Sequence, residues 1–430
     1  MATMQGTALA GRSVRATLWI LLFVYIFNFI DRQIVNILAE SIARDLKLSD
    51  TQIGLMTGLA FALFYTALGL PIARYADRPA TDRAKMIGVA LTIWSAMTAL
   101  CGMAQNFVQL LLLRIGVGVG EAGCSPPAHS LISDIVPPEK RSSALAFYAL
   151  GIPIGTLLGM MIGGLLADQV GWRHAFVIVG LPGVAMALLV FRLLRDPRQA
   201  SSGAATAGAA PHPELPLWAA LRAVMGSRAY ILLLVAGSSA AFLSYGKATW
   251  TTIFFQRTHA MSPGEVGFWY GIVGGVAGIG GTWLGGYLAD RFGSANRRHV
   301  MTAPVVGMIV AVPLALLAYQ ATDWPVALTL LAIPTLCNSL YYGPTYSTAQ
   351  GLAPLRARAI AAAVMLFFQN LIGLGLGPLF FGMLSDWLHP AHGGNSVRYV
   401  LYGAAFLGLV PAFFFWRCSL RLDAELDRGG

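Results

Sequence analysis

The sequence predicts an all-α membrane protein with twelve transmembrane helices in two pseudo-symmetric six-helix bundles. Three observations support this fold class. Apolar residues make up 57% of the 430 residues and charged residues only 11%, whereas a soluble domain has about 25% charged residues. Apolar runs of roughly 18 or more residues recur along the whole chain, as membrane-spanning helices require. Motifs of the first half also return in the second half at a nearly constant offset.

Twelve spans follow from the apolar runs and are numbered here in chain order. They cover residues 17–40, 51–73, 84–104, 107–135, 142–166, 174–194, 229–254, 265–289, 299–319, 325–350, 359–384 and 397–417. Between spans 6 and 7, residues 196–216 are rich in Ala, Gly, Ser and Pro, which predicts a flexible linker. We therefore expect an N-terminal bundle over 1–195, a cytoplasmic linker over 196–228 and a C-terminal bundle over 229–430.

Lysine and arginine are distributed asymmetrically about these spans. With both termini in the cytoplasm, 21 of the 29 basic residues fall on the inner side, 5 on the outer side and 3 within spans. An excess of basic residues in cytoplasmic loops fixes orientation. It also explains the net charge of +10 without a nucleic-acid partner. Short outer loops and the lack of an Asn-x-Ser/Thr sequon favour a bacterial inner membrane as the location.

The sequence carries no pattern typical of an enzyme or of a bound cofactor. The cysteines Cys101, Cys124, Cys337 and Cys418 lie in or at the ends of spans without metal-ligand spacing, so we interpret them as packing residues. No nucleotide-binding loop, metal cluster or triad-like arrangement occurs in the sequence. We expect neither an enzyme activity nor a metal or cofactor.

Three pairs of motifs relate the two halves. The pairs are GLPIARYADR (69–78) with GGYLADRFG (285–293), GGLLADQVG (163–171) with FGMLSDWL (381–388), and PPEKRSSALA (137–146) with APLRARAIAA (353–362). Asp77 and Asp290 are 213 positions apart, and Asp168 and Asp386 are 218 apart. Such repeats build two bundles of common design, with a substrate site near the midplane between them.

The repeated loop after spans 2 and 8, with Gly, Ala-Asp-Arg and further basic residues, resembles the signature loop of the major facilitator superfamily. The likeness covers essentially the whole chain. Within the superfamily, the segments NFIDRQI, LSDTQIGLMTGLAFALFY and RIGVGVGEAGCSPPAHSLISDIVPPEKRSSALAFY resemble the Spinster branch. This resemblance implies the superfamily fold, a monomer, and proton-linked transport of lysophospholipid or sphingosine phosphate. It also implies that the acid of the first span, here Asp31, couples protons.

The charged residues of the repeated loops are predicted to form a cytoplasmic gate. Their acids can cap a neighbouring helix N-terminus or pair with arginines, and their glycines permit close helix approach. The predicted gate residues are Gly69, Asp77, Arg78, Arg83, Asp134, Arg141, Gly286, Asp290 and Arg291. Asp134 has no acidic counterpart near Gly351, which predicts a weaker second latch. A cluster that only orients the chain in the membrane is the alternative.

Span 1 carries Asp31 and Arg32 near its middle, and span 4 carries Arg114 and Glu121 on one helical face. A charge at the centre of a spanning helix costs about 2.5–3.5 kcal/mol, so it is a functional candidate by default. We predict that Asp31 and Glu121 exchange protons, with Arg32 and Arg114 as their switchable partners. A structural ion-pair network is the alternative.

The charges and aromatic residues also predict the substrate class. Three cations face two carboxylates at depth, which favours an anionic head group, and the C-terminal half is rich in aromatic residues. The expected substrate-binding residues are Asn28, Arg32, Arg114, Tyr245, Lys247, Trp250, Tyr341, Tyr342, Tyr346 and Phe368. We predict a proton-coupled secondary transporter of an anionic amphiphile that works by alternating access. The alternatives are a proton-linked carrier of small organic anions or drugs, and a lipid-sensing receptor that does not transport.

Glycines recur at four-residue spacing in span 5, at positions 151, 155, 159 and 163. This spacing places them on one helix face, where backbones can touch. The face serves either static packing or sliding of one bundle past the other. Drug antiporters of the superfamily usually carry a Gly-Pro pair late in this span. Met160 occupies the corresponding place, which weakens the interpretation as a drug exporter.

Overall fold

A computed structural model of the protein describes residues 2–78, 80–200, 217–294, 296–354 and 357–426. Over these ranges every regular element is a helix, and no strand is found. Ten helical segments among the described residues are long and apolar enough to cross a membrane. Residues 201–216, which make up much of the predicted linker, lie outside the described residues.

Two of these ten segments are long enough for two crossings each. Ser143–Gln199 has 57 residues and Arg358–Ser419 has 62, whereas one crossing needs about 20. The first segment turns at Gly171, where φ is 78°, and the second at Gly393, where φ is 53°. Glycine adopts positive φ without the steric penalty that a Cβ would bring. The described residues therefore contain the twelve crossings that the sequence predicts.

The helices of the N-terminal half form spans 1 to 6. Span 1 is Ala2–Leu46; span 2 is Asp50–Gly54, the π-helix Leu55–Leu59 and Ala60–Ala76; span 3 is Arg83–Cys101; span 4 is Phe107–Ala122 and Ser125–Ile135; span 5 is Arg141–Ala149 and the part of Gly151–Leu193 before Gly171; and span 6 is the part after it. Pro126 and Pro127 occupy the first turn of the second helix of span 4, where a missing N–H costs little. They explain why span 4 restarts there.

The helices of the C-terminal half form spans 7 to 12. Span 7 is Arg228–Thr258; span 8 is Pro263–Gly293; span 9 is the 3₁₀ helix Arg297–Met301 and Thr302–Gln320; span 10 is Trp324–Ser339 and Tyr342–Gly351; span 11 is Arg358–Phe368, the π-helix Gln369–Leu376 and Gly377–His392; and span 12 is Ser396–Leu407 and Leu409–Ser419. Spans 4 and 10 both break near their middles, at positions that the internal repeat relates. The repeat is therefore visible in the backbone as well as in the sequence.

The chain forms two compact units that do not coincide with its sequence halves. The first unit comprises Met1–Leu48, Ala60–Gly208 and Pro263–Phe268, and the second comprises Ser49–Leu59, Ala209–Ser262 and Trp269–Gly430. The beginning of span 2 thus packs in the second unit, and the beginning of span 8 packs in the first. Each unit contains one helix end from the other half of the sequence.

Within the first unit, the glycine face of span 5 packs on span 1. A Cβ at Gly155 would lie 2.5 Å from the carbonyl oxygen of Ile26, and a Cβ at Gly159 would lie 3.0 Å from the Cα of Ile30. Glycine therefore sets the distance between the two backbones. This contact supports static packing as one role of the glycine face, and it fixes the helix that carries Asp31.

Within the second unit, the core is built from the inner faces of spans 7, 9, 10, 11 and 12. Tyr230 is 1% exposed, and its hydroxyl donates a hydrogen bond to the carbonyl oxygen of Ala361 at 2.7 Å. This bond satisfies the one polar group of a buried ring. All four cysteines are buried and free, which agrees with their interpretation as packing residues.

We expect Gly155→Ala to lower the stability of the protein, because its Cβ would meet the backbone of span 1. Overpacking of this kind costs about 1–3 kcal/mol. The matched control is Gly274→Ala in span 8, where a Cβ would meet nothing within 4 Å. Thermal denaturation of the two purified variants in detergent tests this difference. Equal melting temperatures would contradict the packing of span 5 on span 1.

Candidate functional site

The charges of spans 1 and 4 meet inside the first unit. Arg32 Nε donates a hydrogen bond to Glu121 Oε2 at 2.6 Å. The side chain of Glu121 is fully buried and that of Arg32 is 14% exposed. Asp31 and Arg114 are each 1% exposed, and Arg114 interacts electrostatically with both carboxylates. The four predicted proton-coupling residues therefore form one buried cluster, called here the charge cluster.

A glycine in span 4 lets span 2 approach this cluster. Gly118 lies between Arg114 and Glu121 along the helix, and a Cβ there would lie 2.7 Å from the carbonyl oxygen of Phe61. The close approach brings the aromatic residues of span 2 to the two arginines. Gly118 therefore helps to set the geometry of the cluster, while Arg114 and Glu121 of the same helix supply part of its charge.

Aromatic rings surround the guanidinium of Arg32. Its carbon Cζ lies 4.5 Å from the ring centroid of Tyr65 and 5.0 Å from those of Phe29 and Phe61. A ring face attracts a cation, and the attraction strengthens when water is excluded. Sequence reasoning missed these three rings. Phe29 could have been found, because it precedes Arg32 by three residues on the same helix.

Several polar atoms of the charge cluster make no hydrogen bond within the described part of the chain. They are Asp31 Oδ1, Glu121 Oε1, Arg114 Nε and Nη1, and both amide atoms of Asn28. A buried polar atom without a partner costs about 1–3 kcal/mol. The cluster therefore keeps hydrogen-bonding capacity that a proton or a bound anion can use.

The predicted cytoplasmic gate forms a network around Arg83, with partners that the sequence did not indicate. Arg83 is fully buried and donates to both oxygens of Asp196 at 2.8 and 2.6 Å and to Asp134 at 2.7 Å. Arg198 also donates to Asp134, at 2.9 Å. Asp77 accepts a hydrogen bond from Ser130 at 3.3 Å. Asp196 and Arg198 were missed because they lie in the predicted linker, outside every motif.

The remaining gate residues lie apart from this network. Arg141 Nε donates to the carbonyl oxygen of Val136 at 3.2 Å, and Arg291 Nη1 donates to the hydroxyl of Tyr287 at 3.2 Å. The guanidinium of Arg78 lies over the ring of Tyr75, and Asp290 is exposed.

The glycines of the repeated loops differ in how closely another helix approaches them. A Cβ at Gly69 or Gly286 would meet nothing within 4 Å. A Cβ at Gly343 of span 10, however, would lie 3.4 Å from the Cα of Gly286, and a Cβ at Gly285 would meet the carbonyl oxygen of Leu340. Spans 8 and 10 therefore approach closely at Gly285 and Gly286.

The predicted aromatic substrate residues lie in the second unit. Tyr341 is fully buried and stacks on Tyr342, with ring centroids 4.3 Å apart. The Tyr346 hydroxyl donates to Gln369 Oε1 at 2.7 Å, at the start of the π-helix of span 11. A π-helix is frequent at functional sites. Sequence reasoning missed Gln369, which lies beside Phe368 in the motif-free part of that span.

The other predicted substrate residues of the second unit differ in exposure. Trp250 is fully buried, and its indole N–H donates to the carbonyl oxygen of Pro378 at 2.9 Å, so this ring has a packing role. Tyr245, Lys247 and Phe368 are half-buried. No ion pair of Lys247 is found among the described residues.

Comparison with known proteins identifies the chain's relatives. The family model described as Major Facilitator Superfamily matches residues 21–378. The chain is 36% identical to an "MFS-type efflux pump" of Mycolicibacterium smegmatis, over 96% of this chain and 95% of the relative. It is 25% identical to "Protein spinster homolog 1" of Xenopus tropicalis, over 95% and 81% respectively. A solved structure titled as a bacterial homolog to the human lysosomal transporter Spinster, inward-facing and unoccupied, matches with a TM-score of 0.87 and 29% identity, over 96% of this chain and 98% of the other.

We expect the Arg32–Glu121 pair to show a large coupling energy in a double-mutant cycle. Arg32→Met or Glu121→Gln alone leaves the remaining group buried without its partner, which costs about 3–5 kcal/mol. The double variant loses both groups and costs less than the sum. The control pair is Arg298–Asp423, also 2.6 Å apart but with side chains 51% and 39% exposed, where about 0–1 kcal/mol is expected. Thermal denaturation of the purified variants measures both cycles, and additive effects at Arg32 and Glu121 would contradict the pairing.

Proposed function

The chain belongs to the major facilitator superfamily, and from this premise we propose that it is a proton-coupled secondary transporter of an anionic amphiphile that works by alternating access. Lysophospholipids and sphingosine-phosphate-like lipids are the proposed cargo. The proposed partners are the lipid bilayer, the cargo and protons, with the protein acting as a monomer in a bacterial inner membrane and both termini in the cytoplasm.

The charge cluster is the single observation that carries this proposal. A buried ion pair stabilises a fold poorly compared with apolar packing, so its presence in a membrane helix favours a functional role. The cluster also holds a second acid, Asp31, and a second guanidinium, Arg114, with hydrogen bonds unmade. Two acids and two guanidiniums in contact are what reversible proton exchange needs.

Proton binding and cargo binding at this cluster favour each other. A proton on Glu121 removes the charge that holds Arg32 at 2.6 Å, and the guanidinium then becomes available to an anionic head group. Conversely, an anion that binds Arg32 leaves Glu121 without its partner and so promotes its protonation. By linkage each ligand raises the affinity for the other by the same factor. Arginine suits a phosphate because it donates two parallel hydrogen bonds.

The aromatic residues of the second unit support the amphiphilic character of the cargo. The rings of Tyr342, Tyr346 and Phe368 are half-buried, and Lys247 lies on the same unit without an ion pair among the described residues. Half-buried rings suit an acyl chain, and the ammonium group suits a phosphate. The resemblance of the sequence motifs to the Spinster branch implies lipid cargo and supports this assignment.

A drug or small organic anion is the second candidate cargo. The relative of Mycolicibacterium smegmatis that is 36% identical carries the name of an efflux pump, which favours export. Either cargo would use the charge cluster to bind the coupling proton. The two proposals differ in cargo, and an exporter differs also in that protons and cargo move in opposite directions.

Flux in proteoliposomes tests the proposed function. The purified protein should accumulate labelled lysophospholipid when a pH gradient is imposed and should not do so without one. Asp31→Asn and Glu121→Gln should each lower gradient-driven accumulation at least about tenfold, the equivalent of about 1.4 kcal/mol, because an amide cannot bind and release the coupling proton. Asp323→Asn, an exposed acid at the start of span 10, is the control and should keep full flux.

The same vesicles separate the alternatives. Glycerol phosphate as cargo would support a carrier of small organic anions, and a cationic dye would support a drug exporter. Binding of lysophospholipid without accumulation would support a lipid-sensing receptor. Full pH-dependent flux in Asp31→Asn would contradict the assignment of Asp31 as a proton-coupling residue.

A further inference from the structure

Phe61 lies between the two arginines of the charge cluster. The Cζ atoms of Arg32 and Arg114 lie 5.0 and 5.5 Å from the centroid of its ring. The ring is 2% exposed, and Gly118 fixes its backbone against span 4. Two cations that would repel each other are thus both attracted to one ring.

We propose that Phe61 is a positioning residue, which holds Arg32 against Glu121 and Arg114 beside Asp31 and so sets the pH at which the cluster exchanges protons. This rests on the proposed function. The titratable and charged groups that face the cluster are Tyr25, Asp31 and Arg32 of span 1, Tyr65 of span 2, Cys101 of span 3, and Arg114, Glu121 and Cys124 of span 4. The tyrosines and cysteines are ordinarily neutral near pH 7, so the two acids and the two arginines are the groups whose charges the ring can influence.

Phe61→Leu tests this role because it keeps an apolar side chain and removes the ring face. A less tightly held Arg32 neutralises Glu121 less well, so the midpoint of the pH profile should move up by about 0.5–1 unit. Phe61→Trp keeps a ring face and should keep the midpoint. Phe176→Leu is the control, since this fully buried ring packs edge-on against Trp172 and no cation.

Proton uptake by the purified protein, measured by titration, gives the midpoint without any cargo. A shift in Phe61→Leu alone supports the proposal, even where the flux assay fails and the proposed function is abandoned. Equal losses of stability in Phe61→Leu and Phe176→Leu, with both midpoints unchanged, would mean that Phe61 only fills space and would overturn the proposal.

A second and independent feature involves Asp168 and Asp386, which the internal repeat pairs. Asp386 accepts hydrogen bonds from the backbone N–H groups of Asp50 and Thr51 at 2.9 and 2.8 Å. Asp168 accepts one from Gly264 at 3.0 Å. The internal repeat also relates the first turns of spans 2 and 8. Each of these turns is hydrogen-bonded by an acid from the other sequence half. A carboxylate suits a helix N-terminus because the N–H groups there lack partners and carry partial positive charge.

The contact at span 2 also contains a buried ion pair. Asp50 is 5% exposed, and its two oxygens accept hydrogen bonds from Arg257 at 2.8 and 2.9 Å. The hydroxyl of Ser385, fully buried, donates to Asp50 Oδ2 at 2.5 Å. Residues that are distant in sequence, at the ends of spans 2, 7 and 11, are thus joined by hydrogen bonds that satisfy both carboxylate oxygens of Asp50.

Glycines bring the backbones together at both contacts. A Cβ at Gly382 would clash with the carbonyl oxygen of Asp50, and a Cβ at Gly164 would clash with that of Pro263. Asp386 and Asp168 therefore each cap the end of a helix whose backbone is in contact with the helix that carries the acid. The paired arrangement follows the repeat.

We infer that these two contacts are clasps that hold the outer side of the transporter closed and must be released when that side opens. The inference rests on the proposed orientation and alternating access, which place the starts of spans 2 and 8 and the ends of spans 5, 7 and 11 at the outer surface. Removing either acid, Asp386 or Asp168, should therefore make the outer side open more readily.

Labelling of one engineered cysteine tests the clasps. Thr57→Cys lies in span 2 about two turns beyond Asp50 and replaces a side chain that is 5% exposed, in a chain whose four native cysteines are replaced by serine. A membrane-impermeant maleimide added from outside should label it slowly. Asp386→Ala should raise the labelling rate at least about fivefold, the equivalent of one charge-assisted hydrogen bond. Asp168→Ala should also raise it, and Asp386→Glu should keep it slow.

The labelling assay needs no cargo, so it stands apart from the flux assay. Each variant is compared at equal monodispersity after purification, which separates opening from misfolding, and Asp323→Asn serves as the control. Equal labelling in all variants would overturn the clasps while leaving the proposed function in place. Faster labelling from the inner side instead would overturn both the clasps and the proposed orientation.

Discussion

The ion pair between Arg32 and Glu121 is the interaction on which the candidate chemistry of this protein depends. Placing either charge in an apolar bundle is costly, and the pair offsets that cost only if its geometry is held closely. The surrounding structure supplies that geometry. The glycines of span 5 fix the backbone of span 1, and Gly118 admits the ring of Phe61 beside the guanidinium. The geometry of the charge cluster therefore depends on glycine residues as well as on the charged residues.

The sequence predicted those features that depend on local composition. Apolar run length predicted the twelve crossings, and the helical spacing of Arg114 and Glu121 placed both on the face that meets span 1. The sequence did not predict the capture of Arg83 by Asp196, since that acid is 113 positions away and outside every motif. The rings around Arg32 were also missed, because most aromatic residues in membrane spans serve in helix packing or at the membrane interface. Contacts between distant residues leave no periodic sign in the sequence.

The internal repeat explains the backbone better than it explains the chemistry. Gly171 and Gly393 turn the chain at related positions with positive φ, and spans 4 and 10 break at related places. The charges do not follow the repeat, since Asp31, Arg32, Arg114 and Glu121 all belong to the N-terminal half. Two scaffolds of common design thus carry different side chains. This division suits a cargo with one charged end and one apolar end.

Two arginines of the same half differ in how completely their networks are hydrogen-bonded. Arg83 donates to both oxygens of Asp196 and to Asp134, so moving it would break several charge-assisted bonds at once. Glu121 accepts from Arg32 through one oxygen, while its other oxygen and the neighbouring Arg114 have bonds unmade among the described residues. Buried polar groups are costly when they are left without partners. Under the proposed mechanism, a proton on Glu121 would weaken a single charge-assisted bond, which is why the proposal assigns proton exchange to this cluster and not to the network of Arg83.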